Sequence, residues 1–218
     1  MKKYIAELIG TFALVFCGTG SIIINQELHG AVTHVGIAMT FGLIVMVMIY
    51  TFGNISGAHI NPAVSIAFVI AKRFPAKELL PYMLSQITGA LLASLILKFL
   101  FPDNLYLGTT IPHGSAAQSF VLELLLTFFL MLVIINVATG SKEQGMFAGI
   151  AIGSTVLLEA MFAGPVSGAS MNPARSIAPA LISGNMEQLW IYITATTTGA
   201  VAAIPVWKYL SNHSTKIK

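Results

Sequence analysis

The sequence predicts an all-α membrane protein, with six transmembrane helices and two re-entrant half-helices arranged as an inverted repeat. Three observations support this. Apolar residues make up 56% of the 218-residue chain and charged residues only 9%, where soluble domains are about a quarter charged; the mean hydropathy is +0.84. Six apolar segments are long enough to cross a bilayer, since ~20 helical residues span a ~30 Å hydrocarbon core. One decapeptide also occurs twice, as SGAHINPAVS at 56–65 and SGASMNPARS at 167–176.

The first span is expected at 4–24. Met1-Lys2-Lys3 ahead of an apolar run to Ile24 has the outline of a signal peptide. Glu7 interrupts that run, no small-x-small cleavage site follows, and the run is long enough to cross, so it reads as a retained helix. The remaining spans fall at 33–52, 79–101, 117–138, 146–163 and 188–210. Two pieces, 62–71 and 173–182, are too short. At 1.5 Å per residue, a ten-residue helix reaches ~15 Å, half of the core. Each follows Asn-Pro-Ala, where Asn suits the N-cap and Pro the first helical position. Each is therefore expected to start near the membrane midplane.

The repeat extends beyond the decapeptide, whose copies share seven of ten positions at an offset of 111. Glu7 and Thr11 of AELIGTF recur as Glu123 and Thr127 of LELLLTF, 116 later, and Thr88-Gly89-Ala90 recurs as Thr198-Gly199-Ala200, 110 later. The chain therefore reads as one transmembrane domain, 1–218, with repeats of about 1–110 and 111–218. Three spans per repeat is an odd number, so the second repeat enters the membrane upside down. The half-helices then approach from opposite faces with their N-termini pointing at each other.

Charge sets the orientation. Lys2, Lys3, Lys72, Arg73, Lys77, Lys142, Lys208, Lys216 and Lys218, nine of the eleven Lys and Arg, fall on one side of the six-span reading. By the positive-inside rule that side, with both termini, is cytoplasmic. The net charge of +3 reflects these span ends and forms no patch interleaved with aromatics, so nucleic acid is not an expected partner. Lys98 is placed to snorkel at an outer span end, and the outer loops carry Glu27, Asp103 and His113 without Lys or Arg. Glycines at 10, 18, 89, 149, 153 and 199 suit close helix crossings. Cys17, inside an apolar run, reads as a small hydrophobe.

The stretches Ser56–Ile60 and Ser167–Met171 are expected to be non-helical at membrane depth, which is tolerated only where protein buries the backbone or water bathes it. Their carbonyls would line a narrow pore, with the side-chain amides of Asn61 and Asn172 as donors at its centre. Each half-helix N-terminus carries ~+0.5 charge. Two of them about 4 Å from a cation at an effective dielectric of 20 cost on the order of 4 kcal/mol, roughly a thousandfold exclusion. Intramembrane carboxylates default to a functional reading: Glu7 and Glu123 are expected to brace the loops ahead of the half-helices, with proton relay as the alternative. His59 holds the first loop's backbone or gates a vestibule. Glu159 has no partner that can be named from the sequence.

Both Asn-Pro-Ala boxes in context, Arg175 after the second, the Glu of each repeat's first span and six spans of the right length resemble the major intrinsic protein family, the aquaporins and aquaglyceroporins, over nearly the whole chain. The resemblance implies a homotetramer of right-handed helical bundles, each protomer with its own pore, and no cofactor. It makes Asn61, Pro62, Ala63, Asn172, Pro173 and Ala174 the pore motifs. Distance from the boxes carries the family's constriction onto Phe41, Ala160, Ala169 and Arg175. Strict water channels commonly have His at the Ala160 position, so two alanines imply a wider, less polar ring. The glycerol-channel pattern is also incomplete: 169 lacks a bulky aromatic, and Ser176 and Ala180 stand where Asp and a base are usual. AGPVSGASMNPARS at 163–176 is most similar to plant nodulin-like intrinsic proteins and their bacterial relatives, which pass small neutral solutes including metalloid hydroxides.

The expected function is a passive channel in the plasma or inner membrane for water and small uncharged solutes, such as glycerol, arsenite or boric acid, that excludes ions and protons. A strictly water-selective channel is the first alternative. An inverted-repeat secondary transporter is the second, although no acid flanks either Asn-Pro-Ala to coordinate a driving ion. A junctional protein without transport is a third. An enzyme is not expected, because no nucleophile with a base, metal-ligand cluster or phosphate loop is legible.

Overall fold

The computed structural model describes residues 1–141 and 145–213. Its long helices are α1 (Lys2–Glu27), α2 (Thr33–Ser56), α4 (Leu79–Leu100), α5 (Ala116–Thr139), α6 (Ala148–Ser167) and α8 (Leu189–His213); the short ones are α3 (Pro62–Ile70) and α7 (Pro173–Ser183). Among the described residues, six helices are long and apolar enough to cross a membrane, which makes the protein multi-pass.

α2 and α6 each run four residues past the apolar segment that the sequence outlines, ending at Ser56 and Ser167 rather than at 52 and 163. Nothing local stops them until Gly57 and Gly168, which take φ of +86° and +85° and close their N–H groups onto Gly53 O and Gly164 O. This left-handed cap costs little where there is no Cβ. The expectation of non-helical chain at Ser56–Ile60 and Ser167–Met171 is thus corrected: both serines are helical, and the irregular backbone begins at the glycines. α6 continues through Pro165, whose missing N–H leaves the carbonyl four residues back unbonded. That carbonyl, Met161 O, lies 2.7 Å from His34 Nε2 of α2.

The two halves pack alike. A Cβ on Gly89 would lie 2.1 Å from the Leu8 carbonyl oxygen, and one on Gly199 would lie 2.1 Å from that of Leu124, so α4 meets α1 as α8 meets α5. At the junction of the halves, α2 crosses α6 with Gly42 and Gly153 face to face, where an added Cβ on either would come within 2.6 Å of the other's carbonyl oxygen. These glycines let backbones approach in a bilayer, where burial of apolar surface does not drive helices together. Each half-helix leans on a span of the opposite half, α3 on α8 and α7 on α4.

The basic residues gather at one end. Lys3 Nζ pairs with Glu78 Oε2 at 2.8 Å, Tyr4 OH donates to the same oxygen at 2.7 Å, and Arg73 lies over the Trp207 ring at 5.5 Å. These contacts tie the start of α1, the segment between α3 and α4, and the end of α8 to a common face. Lys142, Lys216 and Lys218 lie outside the described residues. Lys98, at the other end of α4, donates to Pro102 O at 2.6 Å.

Candidate functional site

Local chemistry starts both half-helices identically. Asn61 and Asn172 are extended N-caps whose Oδ1 accepts from Ala63 N at 2.9 Å and Ala174 N at 3.0 Å, and proline takes the first helical position, where no N–H is needed. What joins them is tertiary. Asn61 Nδ2 donates to Met171 O at 2.7 Å and Asn172 Nδ2 donates to Ile60 O at 2.9 Å, so each amide bonds the loop of the other half. An amide nitrogen has two hydrogens, so one on each Asn is committed to the scaffold and one is left for a passing oxygen.

Two carboxyl groups hold the loops. Glu7, fully buried on α1, accepts from Ser56 Oγ (2.7 Å) and His59 N (2.9 Å) through Oε1, and from Ile60 N (2.7 Å) and Gln86 Nε2 (2.7 Å) through Oε2. Glu123, fully buried on α5, accepts from Ser167 Oγ (2.7 Å), Ser170 N (2.8 Å) and Met171 N (2.9 Å). Two tyrosines complete the pattern: Tyr82 OH donates to Ser56 O at 2.9 Å and Tyr192 OH donates to Ser167 O at 2.7 Å. The sequence reading missed Tyr82, Gln86 and Tyr192. The tyrosines recur at an offset of 110, as Thr88-Gly89-Ala90 and its copy do, and that register would have found them. Gln86 has no such copy, since Thr196 stands in its place and bonds Tyr192 O.

The halves differ next to the boxes. His59 Nδ1 lies 3.0 Å from Ser65 Oγ, and the ring packs against Phe68, Phe74 and Tyr82 with centroids 4.8, 4.8 and 5.3 Å away. Its counterpart Ser170 lies 2.6 Å from Ser176 Oγ, which also accepts from Thr110 at 2.8 Å. His59 is therefore bonded through both backbone and ring while lining the central cavity.

That cavity has a volume of about 790 Å³. It runs from Tyr50 and Asn54 near the lysine-rich end, past both Asn side chains, to Phe41, Ala169 and Arg175. Arg175 is 1% exposed; its Nη1 donates to Gly108 O at 2.8 Å, and its guanidinium sits 5.1 Å from the Phe41 ring centroid. Nε donates to no group among the described residues. A fixed positive fork in the cavity wall opposes cations: at 4 Å and an effective dielectric of 20, one full charge costs a monovalent cation about 4 kcal/mol. Neutral oxygens can instead accept from it. Phe41, Ala169 and Arg175 thus come together, whereas Ala160 is buried one turn beyond Val156 and is not part of the cavity wall. Glu159 Oε2 is buried without a partner among the described residues, and Glu159 does not line the cavity.

Comparisons with known proteins agree with this geometry. A family model described as Major intrinsic protein matches residues 1–207. The chain is 48% identical to Aquaporin NIP1-1 of Zea mays, over 96% of this chain and 74% of that one. It is 47% identical to Nodulin-26 of Glycine max, over 96% of this chain and 77% of that one. The X-ray structure of the aquaglyceroporin from Plasmodium falciparum superposes with a TM-score of 0.83 at 24% identity, over 94% of both chains, which establishes a shared fold.

Proposed function

The chain belongs to the major intrinsic protein family, and on that premise we propose that its channel passes small uncharged solutes of the size of glycerol, arsenite or boric acid as well as water, while rejecting ions and protons. The observation that carries this is the wall around Arg175. Beside a buried guanidinium and one aromatic ring the cavity wall carries only the small side chain of Ala169, and Ala160, buried one turn beyond the wall residue Val156, is equally small, so neither adds bulk or a polar group. Width and hydrogen-bonding groups decide which neutral molecule crosses such a constriction. A three-carbon polyol sheds most of its hydration at once, whereas water sheds part of it.

In this reading Asn61 and Asn172 exchange hydrogen bonds with solute at the centre, and the facing half-helices and Arg175 keep cations out. Phe41, Ala169 and Arg175 form the selectivity filter, with Ala160 behind the wall where a larger side chain would reach it, and Glu7, Glu123 and His59 brace the loops. The protein acts as a homotetramer in the plasma or inner membrane with both termini cytoplasmic. The basic face formed by Lys3, Arg73 and their neighbours supports that orientation.

Ala160→His in proteoliposomes tests the solute class, read by stopped-flow light scattering with water, glycerol and arsenite. The wild type passes all three, and the variant loses solute flux at least tenfold more than water flux. A folded variant that keeps its solute flux removes Ala160 from the filter; a wild type passing water alone makes the channel strictly water-selective. Flux that saturates and follows an ion gradient would instead indicate a transporter.

A further inference from the structure

We propose that Gly18, on α1, determines the selectivity of the constriction without lining it, by seating the Phe41 ring. The inference rests on the channel reading above. A Cβ on Gly18 would lie 2.2 Å from Phe41 Cε1 and 2.6 Å from both Cδ1 and Cζ. Ordinary contact between such atoms is about 3.5 Å or more, so any side chain at 18 displaces the ring by roughly 1 Å. Phe41 is embedded in an apolar cluster with Leu14, Ala38 and Val45, and the cavity it lines is the side on which it can yield. The displacement therefore narrows the path at Arg175, which stands 5.1 Å from the ring centroid.

Arg175 cannot simply retreat. Its Nη1 is bonded to the carbonyl of Gly108, a residue at φ +69° whose backbone packs against Thr19, where an added Cβ would come within 2.8 Å of Thr19 Cβ. Successive helical residues point about 100° apart. Gly18 accordingly faces Phe41 on α2 while Thr19 faces the loop that anchors Arg175. One turn of α1 is thus the reference for both sides of the constriction, although neither Gly18 nor Thr19 is part of the cavity wall.

The repeat supports treating Gly18 and Phe41 as a matched pair. At the 116-residue offset Gly18 corresponds to Ile134, and at the 111-residue offset Phe41 corresponds to Ile152. One half thus pairs the smallest residue with a large ring, and the other pairs two residues of middle size. Gly89 and Gly199, by contrast, face backbone carbonyls, so a side chain there forces helices apart. At Gly18 the obstacle is a ring that can turn, so the fold survives substitution and the pore registers it.

The experiment compares wild type, Gly18→Ala and Gly18→Ala/Phe41→Leu in proteoliposomes, with water and glycerol permeability measured at matched incorporation. Gly18→Ala is expected to lower glycerol permeability at least tenfold and water permeability less than threefold, and the double variant to restore glycerol to within about threefold of wild type. An unchanged glycerol-to-water ratio in Gly18→Ala overturns the inference, as does a loss that Phe41→Leu does not restore. If the wild type itself excludes glycerol, the solute class proposed above fails on its own. The seating of Phe41 is then read from water alone, which must fall at least threefold in Gly18→Ala and recover in the double variant.

Discussion

Replacing Glu7 tests whether one carboxyl group holds the first half-helix in register. Its two oxygens accept four donors, namely Ser56 Oγ, His59 N, Ile60 N and Gln86 Nε2, at 2.7–2.9 Å. In Glu7→Gln one oxygen becomes an NH₂ that faces two of them. If it replaces Oε1, the Ser56 hydroxyl can turn to accept, and His59 N is stranded. If it replaces Oε2, the Gln86 amide can flip to present its Oε1, which has no partner among the described residues, and Ile60 N is stranded. Either way one buried backbone donor loses its partner, at about 1–3 kcal/mol. Glu7→Ala strands both His59 N and Ile60 N and should cost about twice as much, ~2–6 kcal/mol. For a chain of this size each kcal/mol lowers the melting temperature by about 2–4 °C. The damage also reaches the pore, because Ile60 O is the acceptor for Asn172 Nδ2. Thermal melting in detergent and water flux in proteoliposomes would be measured on both variants. A Glu7→Ala protein that melts within a degree of wild type, or a Glu7→Gln protein as damaged as Glu7→Ala, would refute the account.

Arg175→Val removes the full charge beside Phe41 and is expected to raise proton or cation conductance in planar bilayers; conductance at the wild-type level would leave exclusion to the half-helix dipoles alone. Gly89→Ala drives a methyl to 2.1 Å from the Leu8 carbonyl oxygen and should cost about 1–3 kcal/mol, as overpacking does. Gly53→Ala, with nothing within 4 Å of the new Cβ, should stabilise α2 by about 0.4–1 kcal/mol, so the two melting shifts should have opposite signs. A reporter fused after Lys218 should be active only in the cytoplasm, and activity outside it would reverse the proposed orientation.

The parts of this protein that were legible in its sequence are those that the chain decides locally. Six runs of apolar residues match the bilayer in length, and the half-helix starts follow from Asn at the cap and Pro behind it. The inversion follows from an odd number of spans per repeat. Even here the helix ends were misplaced: hydropathy stops at 52 and 163, whereas α2 and α6 persist to glycines that adopt left-handed φ. A helix in lipid keeps its hydrogen bonds internal until a residue lets the backbone turn, so backbone geometry and not apolarity sets its end.

The sequence marked Glu7 and Glu123 as buried carboxylates in need of donors, but only the tertiary structure supplied them. Ser56 lies 49 residues from Glu7 and Gln86 lies 79 away, separations at which spacing says nothing about contact. The exchange of Asn61 and Asn172 amides across the centre, 110 and 112 residues to their acceptors, is of the same kind. So is the seat of Phe41 on Gly18, where an absent side chain does the positioning. Propensity, capping and hydropathy act over a few residues and are written along the chain. Which donor meets which carboxyl group, and how far a ring protrudes into a pore, depends on helices packed to within tenths of an ångström, and only the folded arrangement determines that.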